Sequence, residues 1–207
     1  MEIYLSTLLA ICGLYLLAAA SPGPNFFIIS QLSLSGRRRL AILVALGIAV
    51  GSTTWATLAM LGVAALLAQL DWLYAGIRLA GALYLIWLGG KLLIGAARPA
   101  PNAPREIGIG TTAHALRTGL FTSLSNPKSG AFWTGVFATT FPAQAPLWFY
   151  LMTGLLVALM SLGWHLGIAL VFTSARVQAG YQRAQRVIDA VCGGILVSLG
   201  VHLASER

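Results

Sequence analysis

Ser21-Pro22-Gly23-Pro24-Asn25 interrupts the apolar run Ile3–Leu34, and Ser125-Asn126-Pro127-Lys128 interrupts a second apolar run, Ala113–Phe141. Pro22 and Pro24 each lack a backbone donor, and each ring collides with the carbonyl four residues back, at Ala18 and Ala20. Gly23 between them adds backbone freedom. A continuous helix cannot pass through this stretch, so two half-helices are expected, with unpaired carbonyls on one side and unpaired amides on the other. In lipid such groups have to be satisfied by protein, water or ligand. One motif of this kind reads equally as a proline kink packed against its neighbours. A second one changes the reading, because Gly23 and Asn126 stand 103 positions apart in a chain of 207, and Pro127 repeats the interruption beside an Asn and a Lys.

Outward from these motifs the chain is almost entirely apolar. It is 58% hydrophobic and 9% charged, against about 25% charged for an ordinary soluble domain. Six apolar runs follow one another: residues 3–34, 40–70, 72–97, 113–141, 147–174 and 187–204. At roughly 20 residues per crossing, they predict an all-α integral membrane protein of six transmembrane helices, with helices 1 and 4 broken at proline. The first run is read as a retained helix and not a signal peptide, since its start carries Glu2 and no Lys or Arg.

Basic residues alternate along the connections. Arg37, Arg38 and Arg39 lie in the first, Lys91, Arg98, Arg105 and Arg117 around the third, and Arg176, Arg183 and Arg186 in the fifth; the second and fourth have none. The positive-inside rule places the odd-numbered loops in the cytoplasm and both termini in the periplasm. This placement also accounts for the net charge of +8 without nucleic acid, since no basic tract alternates with exposed aromatics. The Pro-rich stretch 98–112 reads as a cytoplasmic linker between two three-helix units, 1–97 and 113–207. Three spans per unit force the units into opposite orientations, which is an inverted repeat.

Corresponding interrupted helices point to a central binding site in a transporter. Half-helix N-termini can hold a carboxylate, while freed carbonyls and Asn side chains can hold an ammonium, and an amino acid presents both groups. Ser21, Pro22, Gly23, Pro24, Asn25, Asn126, Pro127 and Lys128 are therefore candidate substrate-site residues, with Ser52 in the second run. Lys128 reads in three ways: pairing with a substrate carboxylate, holding the second break in place as a fixed charge, or snorkelling to an interface. Asp189, three residues after Arg186, reads as an interfacial ion pair or a proton relay. His165 reads as a packing residue or a group that titrates. Gly47 and Gly51 form a small-xxx-small pattern of close helix packing.

Enzymatic signals are absent from the sequence: there is no phosphate-binding Gly loop, zinc spacing or nucleophile–base pair. No cofactor and no metal site are expected. Cys12 and Cys192 lie inside apolar runs and read as small buried hydrophobes. They also keep open a membrane thiol relay as an alternative function, and a non-transporting assembly subunit is the other alternative.

The chain resembles the LysE/RhtB superfamily of bacterial amino-acid exporters. The resemblance rests on residues 21–25, Gly47-Ile48-Ala49-Val50-Gly51, the stretch Leu79–Leu93, Phe121–Lys128 and the Arg186…Asp189…Gly193-Gly194 entry to the last run. It implies export of amino acids across the bacterial inner membrane, driven by proton antiport and alternating access, with the two Pro motifs lining the pathway. Relatives often carry Asp directly after the run-two glycine, where this chain has Ser52. The difference favours neutral substrates such as homoserine, threonine or leucine, and leaves Asp189 or His165 as candidates for proton coupling. The small number of helices suits a homodimer.

Overall fold

The structure, a computed structural model, describes residues 2–67, 71–97, 111–142 and 145–205. Among them are eight helices and no strand: α1 (Glu2–Ala20), α2 (Pro24–Leu34), α3 (Arg38–Leu67), α4 (Asp71–Ala96), α5 (Thr112–Leu124), α6 (Pro127–Thr140), α7 (Leu147–Val171) and α8 (Ala175–Ser205). Most of the proposed linker, residues 98–110, lies outside the described residues.

The helix ends follow from local chemistry. Pro24 and Pro127 sit in the first turns of α2 and α6, where a missing N–H costs nothing. Gly23 is in extended backbone (φ −148°, ψ −176°), which any residue adopts. The prolines therefore end α1 there, and the glycine's freedom is not what the backbone uses. Glycine is required instead at Gly36 (φ 74°), in the turn that lets Arg37 N bond Leu32 O at 2.9 Å and closes α2 before α3 begins. Asn126 caps α6 through its side chain, Oδ1 accepting from Lys128 N at 3.0 Å. Thr111 caps α5 likewise, from His114 N at 3.2 Å.

Among the described residues, four stretches are long and apolar enough to cross a bilayer: Glu2–Ala20, Arg38–Gly62, Leu147–Val171 and Arg183–His202. The apolar part of α4, Ala82–Ala96, is shorter, and α2, α5 and α6 are each too short alone. Leu9, Leu147 and Leu151 are each more than 60% exposed. That exposure suits a hydrocarbon solvent, and the chain is a multi-pass membrane protein.

One boundary differs from expectation. The sixth run was expected to begin at Val187, with Arg176 and Arg183 in a loop, yet α8 begins at Ala175. Residues 175–186 are rich in Ala, Arg and Gln, all good helix formers. Hydropathy alone registers the apolar part and misses the polar turns that precede it.

Two close seams pass between elements from the two halves of the chain. Across α3 and α5, a Cβ on Gly47 would strike Leu116 O and come 2.7 Å from Leu120 N, and one on Gly119 would strike Val44 O. Across α4 and α8, a Cβ on Gly89 would come 2.6 Å from Gly193 O, and one on Gly200 2.7 Å from Ala82 O. Glycine lets the backbones touch, which is how helices associate where no hydrophobic force favours one apolar contact over another.

Candidate functional site

The two helix interruptions meet around a cavity of about 60 Å³. Its wall is built from Tyr15, Ala18 and Ala19 at the end of α1, Ser21 and Gly23 in the first break, and Asn25 and Phe26 opening α2. Ser52 enters from α3, Asn126 from the second break, and Lys128, Ser129, Phe132 and Trp133 from α6. Trp164 and His165 close it from α7. This volume holds roughly four to six waters, so a small amino acid fits only if the lining yields.

Breaking α1 frees the carbonyls of its last turn, and three are taken by side chains distant in sequence. Lys128 Nζ donates to Ala18 O at 2.9 Å and to Ser21 O at 3.2 Å. Tyr181 OH donates to Ala20 O at 3.0 Å. Breaking α5 has the same consequence, and Trp55 Nε1 donates to Leu124 O at 3.3 Å. Of the three readings of Lys128, this geometry matches the fixed charge, but the break it holds is the first one and not its own. Snorkelling is not what the side chain does, because its ammonium ends on buried carbonyls.

The opening of α2 is less well satisfied. Its N-cap is Gly23, which offers no side-chain acceptor. Ser21, 3% exposed, and Asp189, 5% exposed, lie close enough to interact, yet Ser21 Oγ and Asp189 Oδ1 each lack a well-formed hydrogen bond. Asn25 Oδ1 and Tyr15 OH are also buried without a partner. Buried groups of this kind are expensive unless a ligand or water completes them. Ser52 Oγ lies 3.5 Å from Ser123 Oγ, joining α3 to the end of α5.

His165 Nδ1 is 2.7 Å from Ser161 O. A carbonyl only accepts, so Nδ1 carries the proton and Nε2 is the nitrogen left to accept one. Asp189 is outside the cavity wall but within electrostatic reach of Lys128. The ion pair expected between Asp189 and Arg186 is not formed among the described residues: Arg186 is exposed, and Asp189 turns inward to Ser21, Gln185 and Lys128. Cys12 Sγ rests 3.4 Å from Met160 Sδ, and Cys192 is buried; both are free thiols. Among the described residues no group of three or more His, Cys, Asp or Glu could hold a metal ion.

The structure thus gathers Ser21, Gly23, Asn25, Ser52, Asn126, Lys128 and His165 on one wall. Pro22 and Pro24 shape the backbone beside it, and Pro127 opens α6. Sequence reasoning passed over Tyr15, Phe132, Trp133 and the caps Trp55 and Tyr181. The spacing 126, 129, 133 and 128, 132 along α6 was the available signal, since residues three and four apart share a helix face. Nothing comparable marks Trp55 or Tyr181.

A first prediction follows from Gly23. A Cβ there meets only Lys128 Cδ, at 3.9 Å. Gly23→Ala should fold with an unchanged melting temperature, to within about half a kcal/mol in stability, while weakening transport of the bulkier substrates that share the cavity. A drop in stability with transport intact would contradict this placement.

A multi-pass helical protein in which several helix ends meet around a cavity carrying a few buried polar groups has an arrangement used by solute translocators. The family model for the LysE type translocator matches residues 16–207, and the chain belongs to that family. It is 31% identical over 201 residues to the threonine efflux protein of Escherichia coli (strain K12), covering 96% of this chain and 98% of that protein. It is 34% identical over 116 residues to the leucine efflux protein of Enterobacter sp. (strain 638), covering 56% and 54%. An uncharacterized membrane protein of Haemophilus influenzae is 27% identical over 192 residues, covering 91% of each chain. No solved structure matches. The protein is a translocator of this family and not an enzyme.

Proposed function

We propose that the protein exports a small neutral amino acid, threonine, homoserine or leucine, across the bacterial inner membrane in exchange for protons. The observation that carries this reading is the cavity itself. The carbonyl end of α1, the uncapped amide end of α2 and the Lys128 ammonium converge there, and a zwitterion complements all three. The relatives named for threonine and leucine efflux support the substrate class. Aromatic rings of Phe132, Trp133 and Trp164 leave little room for a long cationic side chain and offer it no carboxylate on the wall.

On this reading α1–α2 and α5–α6 are each one interrupted crossing, which with α3, α4, α7 and α8 makes six. The units 1–97 and 113–207 are inverted repeats joined by 98–112, and both termini are periplasmic. Alternating exposure of the cavity carries substrate outward. Asp189 or His165 takes the returning proton, and two copies assemble in the bilayer as a homodimer.

The test is efflux from proteoliposomes loaded with a panel of labelled amino acids. Threonine, homoserine or leucine should leave at least about tenfold faster than lysine, a difference of roughly 1.4 kcal/mol in transition-state binding. Equal rates for lysine and threonine would refute the substrate class, and no flux of any amino acid would refute the exporter reading for this site.

A further inference from the structure

We propose that Lys128 is a tethered stand-in for the substrate's ammonium: it holds the Ala18 and Ser21 carbonyls between substrates, then passes to the substrate carboxylate when the incoming ammonium takes those carbonyls. The inference rests on the exporter reading above and deepens it.

The argument starts from what carbonyls at a broken helix end require. They accept hydrogen bonds and cannot donate, so in a bilayer they need a donor at every stage of a transport cycle. In this structure the donor is Lys128 Nζ, at 2.9 Å from Ala18 O and 3.2 Å from Ser21 O. An amino acid's ammonium carries the same charge and the same three N–H bonds. It can therefore replace Lys128 at these carbonyls bond for bond.

The displaced ammonium then needs an anion, since an unpaired buried charge is costly. A zwitterion brings one. The Lys128 stem runs past the start of α2, with Cδ 3.9 Å from the position a Cβ would take on Gly23. That helix start has no side-chain cap, and Ser21 Oγ beside it is buried without a partner. A carboxylate placed there meets the α2 amide end, the Ser21 hydroxyl and the released ammonium together. Asp189 is the anionic side chain whose charge reaches Lys128 from α8, and it remains in place throughout. The arrangement rewards a substrate carrying both charges. A simple amine would displace Lys128 without bringing it a new carboxylate, and a simple acid would leave the carbonyls with no new donor.

The test uses the full chain in liposomes, with labelled threonine and leucine as probes. Two rates are measured on the same preparation: net efflux into substrate-free medium, which needs a substrate-free return, and exchange against external substrate, which does not. Lys128→Ala and Lys128→Met should both slow transport, but the ratio of net efflux to exchange should fall about tenfold, the scale of one charged hydrogen bond. Lys128→Arg should keep most of the ratio. Propylammonium, which supplies the atoms that alanine lacks, should restore the ratio in Lys128→Ala and leave Lys128→Met unchanged. A ratio equal to wild type in both variants, or equal loss of the two rates with no rescue, would overturn the proposal. If Lys128→Ala does not fold, the ratio for Lys128→Met decides. Wild-type protein that moves neither amino acid by either route would instead refute the exporter reading beneath it.

Discussion

Gly47→Ala and Gly119→Ala should each lower stability by about 3 kcal/mol or more, and larger replacements at either position should leave little folded protein. Alanine would ordinarily favour a helix over glycine by about 1 kcal/mol, so the seam has to override that gain. It does so because the added methyl meets backbone. A Cβ on Gly47 strikes Leu116 O and sits 2.7 Å from Leu120 N, and a Cβ on Gly119 strikes Val44 O. Backbone cannot rotate aside as a side chain can, so α3 and α5 would have to separate along their length. Gly62→Ala is the control on the same helix, with nothing within 4 Å of the new methyl. Thermal unfolding in detergent measures all three. A Gly47→Ala protein that melts with wild type would show that the seam does not hold α3 to α5.

Asp189→Asn should abolish the response of transport to a pH gradient while downhill movement of substrate persists. The substitution keeps the shape of the side chain and removes its charge. Asp189 is 5% exposed, its Oδ1 lacks a hydrogen bond, and its nearest influences are Ser21, Gln185 and Lys128. A carboxylate in such a place is costly when ionised and costly to leave unpaired, which is the condition for exchanging a proton as its neighbours move. Gradient-driven transport should fall by at least about tenfold, the loss expected when the coupled ion no longer contributes. His165→Gln is the companion variant, since His165 Nε2 is the other proton acceptor on the wall. Should His165→Gln lose the response and Asp189→Asn keep it, the imidazole and not the carboxylate would carry the proton.

Much of this architecture could be read from the chain because it depends on local chemistry. Proline at 22, 24 and 127 ends helices whatever surrounds it, and α1, α2, α5 and α6 terminate where those residues dictate. The Gly47/Gly51 pattern anticipated a close approach but not its partner. That partner is Gly119 and Ser123 on α5, and no local property of either segment encodes the pairing. The site was legible as a meeting of Ser21, Asn25, Asn126 and Lys128, since the two motifs name themselves. The choice among the readings of Lys128 was not, because it depends on which carbonyls lie within reach across 110 residues of chain. Tyr181 and Trp55 were invisible for the same reason. A tyrosine in a polar stretch and a tryptophan in an apolar one are unremarkable until the fold aims them at Ala20 O and Leu124 O. Of the two readings of Asp189, the three-residue spacing to Arg186 suggested a surface pair that is not formed among the described residues, and the buried carboxylate instead lies within reach of Ser21, Gln185 and Lys128.

The glycine seams also limit how such a molecule can change shape. α3 is fastened to α5 and α4 to α8, so the two halves of the chain are clasped together by main-chain contact. Swinging one half away as a block would tear both clasps at every cycle. The short helices α2 and α6 are fastened differently, by side-chain packing: Phe26, Ile29 and Leu32 of α2 and Trp133, Val136 and Phe137 of α6 are all buried. Their neighbouring breaks are also latched by hydrogen bonds, two charged ones from Lys128 worth about 1.5–3 kcal/mol each and single neutral ones from Tyr181 and Trp55 worth on the order of 1 kcal/mol each. Side chains can slide past one another where touching backbones cannot, so the expected opening is a shift at the two breaks with both glycine seams kept closed.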